Sequence, residues 1–297
     1  MKEQGIVIPA ARRRYALAFD KRSAATEKAY LHAVNYYRDT CKLRLPATEF
    51  DVLHYISMMA GKYTVATISL RITALATWHR DFSFPDPTSS HRITTALREL
   101  KRLAKSSDRV TTPLDVKMLK RLVSHQEESL QRALGADDHP NVLRALRNRA
   151  LLLLGFWRGM QSRDMRQLRV EHIDIQNGKG VTIYEQNQNR EKITFIPCTE
   201  DMCLVTAIQE WLVASQIKQG PLFVQIDRWG RLSLEPLSSI STLLKSMAKE
   251  AGITERLTTR SFRLGMSEWA KDNDWKYRDI IEYFGLSALR AHESYIP

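Results

Sequence analysis

Cysteine, long apolar runs, low-complexity tracts and internal repeats are all scarce or missing in this chain of 297 residues, and acidic side chains are too few to balance the basic ones. The three cysteines, Cys41, Cys198 and Cys203, are odd in number and lack paired metal-ligand spacing. They read as buried thiols in a reduced compartment rather than as disulfides or zinc ligands. The most apolar stretch, Ala150 to Trp157, is stopped by Arg158, well short of the roughly 20 residues that span a bilayer. Met1-Lys2-Glu3-Gln4-Gly5 carries no apolar signal core, so the expected location is the cytoplasm, away from any membrane.

What the chain has is basic charge and enough length for two cores. With 45 Lys and Arg against 33 Asp and Glu, the formal net charge is +12. Such an excess favours a polyanionic partner, because binding phosphates releases condensed counterions. The charge is also clustered: Arg12-Arg13-Arg14, then Lys101-Arg102 with Lys105, then Arg144 to Arg149. Clustered cations are the footprint of a nucleic-acid surface.

The N-terminal third reads as four helices. Ser23 caps a helix from Ala24 to Lys42, Thr48 starts a second, Thr64 to Phe82 is a third, and a fourth runs from about Ser89 to Leu103 after the Pro85-Asp86-Pro87 break. The polar run from Lys105 to Thr112, closed by Pro113, has the composition of a linker. The expected layout is a basic arm over 1–22, a helical domain over 23–104, a linker over 105–112 and a second domain over 113–297. In the second domain Leu114 to His125 and Asn141 to Trp157 read as helices. Val181 to Glu185 and Ile193 to Ile196 read as two strands of a hairpin. Helices return at Met202 to Ile217, Ile240 to Ala251, Thr259 to Lys271 and Tyr277 to Tyr283, with Leu222 to Val224 as a short strand between them. The fold class is mainly α with a small antiparallel sheet. Trp269, Trp275, Phe262 and Phe284 read as core.

The C-terminal region carries the most specific pattern. Arg260-Ser261-Phe262-Arg263 is followed by Gly285-Leu286, 23 positions after Arg263, and by Tyr295 nine positions later. This spacing resembles the His-x-x-Arg, Gly-His or Gly-Trp, and Tyr signature of the tyrosine recombinases, the phage-integrase family. Gly159-Met160-Gln161-Ser162-Arg163-Asp164-Met165 and the residues up to Asp174 resemble that family's Gly-Leu-Arg-x-Ser-Glu-Leu segment. The resemblance spans roughly residues 22 to 297.

The resemblance implies a helical, SAM-like core-binding domain and a catalytic-type α+β domain that close on double-stranded DNA as a clamp. It implies phosphoryl transfer without metal or nucleotide cofactor. A tyrosine attacks the scissile phosphate to give a 3′-phosphotyrosine, two arginines hold the non-bridging oxygens, and a lysine protonates the leaving 5′ oxygen. An arginine fork suits that cage because it reaches two oxygens at once. Carried onto this chain, the nucleophile position is Tyr295 and the second arginine Arg263.

The other positions are substituted. The first arginine falls on Gln161, the lysine on Asn189, the first histidine on Arg260 and the second on Leu286. Arg158, Arg163, Lys192 and His292 stand near enough in sequence to compensate. Arg260, Arg263, Lys101, Arg102 and Lys105 are candidate phosphate contacts. Three readings stay open: a DNA-binding relative with impaired chemistry, acting as an accessory or regulator of recombination and associated with a bacterial nucleoid; an active recombinase with an atypical cage; or a basic helical protein whose partner is another protein, with DNA incidental. Only Ile296 and Pro297 follow Tyr295. Many family members continue there with a segment that docks on a neighbouring subunit, so partner recombinase subunits are expected to be engaged in another way or not to form the usual synapse.

Overall fold

The computed structural model describes residues 22–104, 111–187, 190–199 and 201–285, with backbone alone at 104, 185–187 and 190–192. The chain separates into two compact units, Met1–Arg109 and Val110–Pro297. The arm over 1–21, Lys105, Asn189, Leu286, His292 and Tyr295 lie outside the described residues.

In the first unit, side-chain caps fix where each helix begins. Ser23 accepts from the Thr26 N–H at 3.2 Å and starts α1 (Ala24–Asn35), which continues as a wider π-helical turn over Tyr36–Thr40. Thr48 and Asp51 exchange hydrogen bonds in a capping box at the head of α2 (Glu49–Met59). Thr64 accepts from the Thr67 N–H ahead of α3 (Val65–Asp81), and α4 runs His91–Ala104. Tyr37, Val52, Tyr55, Leu75 and Ile93 are fully buried, and the Tyr37 and Tyr55 rings meet edge to face at 4.9 Å. His79 is fully buried among them. Its Nε2 accepts from the Ala47 N–H at 2.9 Å, which leaves Nδ1 to donate to the Leu75 carbonyl at 2.8 Å.

The second unit is built around α6 (His139–Arg158), whose Ala150 to Leu154 segment and Phe156 are almost wholly buried. Packed on it are α5 (Val116–Gly135), α8 (Leu204–Ser215) and α10 (Thr259–Asp272). Short α7 (Ser162–Gln167) follows α6 and leads into a three-stranded antiparallel sheet of β1 (Ile173–Gln176), β2 (Gly180–Asn187) and β3 (Arg190–Pro197) in that order. Val181 faces Ile196 across the β2–β3 pair, and both are buried. A second hairpin joins β4 (Val224–Ile226) to β5 (Leu232–Pro236), and α9 (Ile240–Glu250) and α11 (Tyr277–Phe284) complete the unit.

A buried polar chain stitches these elements together. Arg147 donates from Nη1 to the Val224 carbonyl at 3.0 Å and from Nη2 to Asn148 Oδ1 at 2.9 Å, while Asn148 Nδ2 donates to Gln126 Oε1 at 3.1 Å. Burial, with Arg144 as a second cation nearby, pulls the Arg147 guanidinium down to about 10. Trp211, also fully buried, donates from Nε1 to the Leu222 carbonyl at 2.8 Å.

The main departures from the sequence reading are additions. α5 extends to Gly135, because the polar run after His125 contains no breaker and simply solvates the helix's outer face. β1 and β5, each five residues or fewer, are also present, although neither has a burial pattern strong enough to stand out. The three thiols are half-buried, not buried. Phe262 and Phe284 are buried and Trp269 and Trp275 pack partly buried against the core.

α10 approaches the segment ahead of α5 so closely that only glycine fits. A Cβ on Gly265 would lie 1.8 Å from the Leu114 carbonyl oxygen, while the Leu114 N–H donates to the Ser261 carbonyl at 3.0 Å. Gly265→Ala is therefore expected to destabilise the second unit by about 1–3 kcal/mol or more through overpacking, read as a lower denaturation midpoint in urea. An unchanged midpoint would mean the two segments part without penalty.

Candidate active site

The site grows from the way α6 ends. Gly159 adopts left-handed φ of 61°, with its N–H bonded to the Phe156 carbonyl at 2.9 Å and the Met160 N–H bonded to the Gly155 carbonyl at 3.0 Å. That turn sends Met160 and Gln161 into α7, with Gln161 extended at its N-cap. A Cβ on Gly159 would meet the Phe284 ring at 2.2 Å, so the end of α11 sits directly on the turn.

Arg263 projects from α10 to the same place. Its Nε donates to the Gly159 carbonyl at 3.0 Å, its Nη2 stands 3.6 Å from Asp164 Oδ2, and its guanidinium lies 5.3 Å from the centre of the Phe284 ring. The same Asp164 oxygen accepts from the Gln161 N–H at 3.1 Å. One carboxylate thus ties the Gln161 and Arg263 positions together. Arg263 is only 9% exposed, and its own carbonyl accepts from the Ser267 hydroxyl at 2.8 Å. A planar cation in so dry a setting is held in one geometry, which is what recognition of paired oxygens requires.

The candidate compensating residues divide clearly. Arg158 is 3% exposed and donates from Nη1 to the Tyr283 carbonyl at 2.9 Å, with the Tyr283 ring 5.4 Å away. Tyr283 in turn donates from its hydroxyl to the Trp157 carbonyl at 2.6 Å. Arg158 thereby serves the packing of α6 on α11, amid a run of edge contacts among Trp157, Trp269, Trp275 and Tyr283. Arg163 is exposed on α7, and Arg260 is exposed in the first turn of α10, one turn before Arg263. Lys192 lies on β3 opposite Glu185, close to the hairpin tip. In the first unit, Lys101 and Arg102 are exposed on α4, where Arg102 donates to Glu99 at 2.9 Å.

Asp164 is the participant whose role the sequence reading did not assign. Its signal was weak, because the usual mark of a helix N-terminus is Ser, Thr, Asp or Asn followed three residues later by Glu or Gln, and Gln161 with Asp164 matches neither type. Among the described residues, no group of three His, Cys, Asp or Glu is placed to hold a metal ion. Nor is any helix of the described residues long and apolar enough to cross a membrane.

The account of Asp164 has a direct check. Asp164→Ala loses both the cap and the ion pair and is expected to lower stability by about 1–2 kcal/mol, roughly 2–8 °C in Tm. Asp164→Asn, which keeps a cap acceptor, is expected to lose less. Equal Tm values for wild type and Asp164→Ala would remove Asp164 from the scaffold.

Known proteins share this architecture. The phage integrase family model matches residues 120–296. An integrase/recombinase xerD homolog of Selenomonas ruminantium is 26% identical over 267 residues, covering 84% of this chain and 74% of the relative. Among solved structures, a lambda integrase dimer bound to a COC′ core site matches 95% of this chain and 74% of its own, with a TM-score of 0.60 at 16% identity. The Tn1549 transposon integrase in complex with circular intermediate DNA matches 96% and 94%, with a TM-score of 0.60 at 13% identity. At those identities the structures establish a shared fold, and the family model, matched over most of the second unit, establishes descent: the chain belongs to the phage integrase family, the tyrosine recombinases.

Proposed function

We propose that this protein clamps double-stranded DNA at a specific site and has impaired strand cleavage, so that it acts as an accessory or regulatory factor in DNA recombination or integration. The carrying observation is the contrast within one small assembly. Arg263 is fixed by the Gly159 carbonyl and Asp164, while the neighbouring position on the same carboxylate is Gln161. On this reading Arg263 holds a non-bridging phosphate oxygen and Gln161 offers a neutral amide where a second cation belongs. Loss of one preorganised donor typically slows chemistry about 100- to 1000-fold, roughly 3 kcal/mol, and the substitutions at Asn189 and Leu286 add to it without being simply additive. Phosphate contacts by Arg260, Lys101, Arg102 and Lys105 would survive intact, since they position DNA rather than cleave it. Recombinase subunits are further partners on this reading, and the protein would work in the nucleoid-associated cytoplasm. The net charge of +12 and the family's DNA-bound relatives support the DNA partner.

A second reading is favoured by the exposure of Arg163 and Arg260 beside the site. It makes the protein an active recombinase in which these cations, with Lys192 as general acid, replace the missing set and Tyr295 forms the covalent link.

Binding tests the first reading. Duplexes from the protein's own genomic flanks should be preferred over bulk DNA, with affinity falling steeply as salt rises. Arg260→Ala should weaken all duplexes about equally and reduce the slope of log K against log salt by about 1. Equal affinity for flanking and bulk duplexes at every salt concentration would defeat the proposal of a specific clamp.

A further inference from the structure

Two cysteines outside the candidate active site stand side by side. Cys198 follows β3 directly, and its N–H donates to the Lys179 carbonyl at 2.8 Å. Cys203 is the N-cap residue of the twelve-residue helix α8. Their sulfurs are 2.7 Å apart, inside the ordinary van der Waals separation of two thiols. Both are half-buried, so a small oxidant has access to them. Each sits at the edge of a regular element, and between them the exposed Asp201 carboxylate lies 3.1 Å from Lys120 Nζ.

The chemistry of the pair is asymmetric. Burial pushes the Cys203 thiol up, but the Cys198 thiol, the N–H and hydroxyl of Thr206 and the Val205 N–H outweigh it and bring Cys203 below its ordinary value. Cys198 is shifted the other way by its neighbour Cys203 and by burial. A thiolate at a helix N-terminus is the attacking member of such a pair. Nothing in the phosphoryl-transfer reading uses either sulfur.

We propose that Cys198 and Cys203 are a thiol-oxidation site that forms a reversible disulfide and fastens the end of β3 to the first turn of α8. With a small-molecule disulfide such as oxidised glutathione as oxidant, the Cys203 thiolate attacks one of its sulfurs. The S–S bond of the oxidant breaks, one glutathione leaves and takes up a proton, and a mixed disulfide remains. Cys198 then gives up its proton and attacks the Cys203 sulfur, expelling the second glutathione as a thiol. Two protein thiols are oxidised and one disulfide is reduced to two thiols. The bond would fix the chain just past the end of β3, the strand that carries Lys192.

The test uses the full chain and needs no DNA. Incubate it in graded mixtures of oxidised and reduced glutathione, trap free thiols with an alkylating agent, digest with trypsin and weigh the peptide 193–218, which holds both cysteines. The expected product is two hydrogens lighter than the reduced peptide, unalkylated at both positions, and returned to the dialkylated form by dithiothreitol. Cys41→Ser should leave this result unchanged. Cys198→Ser should stop at one glutathione on Cys203. A peptide that stays dialkylated at every ratio, or that carries glutathione on both cysteines, would overturn the proposal.

Discussion

The hydrogen bond from Arg263 to the Gly159 carbonyl is the contact on which the second unit's functional end depends. It exists only because α6 stops in a left-handed glycine, because α10 comes close enough to project Arg263 under that turn, and because Phe284 closes the other side. A guanidinium this buried would be destabilising unless its charge and donors were matched. Asp164 supplies the charge and the Gly159 carbonyl an acceptor, so the ends of four helices, α6, α7, α10 and α11, are held in register by a single side chain.

That arrangement rests on a few bonds that can be named. The scaffold bonds at this point run through backbone carbonyls and through Asp164, and Gln161 takes part in them by its N–H. Arg158, three residues before Gln161, donates to the Tyr283 carbonyl and so helps hold α11 in place.

Much of the fold was legible because caps and apolar periodicity are local. Ser23, Thr48 and Thr64 mark helix starts as the structure has them, and the apolar end of α6 reads as buried from its sequence. β1 and β5 escaped because a strand of four or five residues leaves too little alternation to register, and α5 beyond His125 because a solvated polar helix resembles a loop in composition. At the site, the residue types at 161 and 263 could be read directly. The bond between them could not, since it passes through Asp164 and a backbone carbonyl 104 residues away from Arg263. The half-burial of Cys198 and Cys203 was equally hidden, because their meeting depends on where β3 ends and α8 begins.

The central claim is that the assembled Arg263 site, with Gln161 beside it, holds DNA without efficient cleavage. It is tested most directly by single-turnover incubation of nicked suicide duplexes, taken from whatever site the protein protects, with wild type, Tyr295→Phe and Gln161→Arg. The expected result is protection of the duplex with no denaturation-resistant protein–DNA band from wild type. A strong wild-type band that vanishes in Tyr295→Phe would contradict it and establish an active recombinase whose cage is completed by other cations.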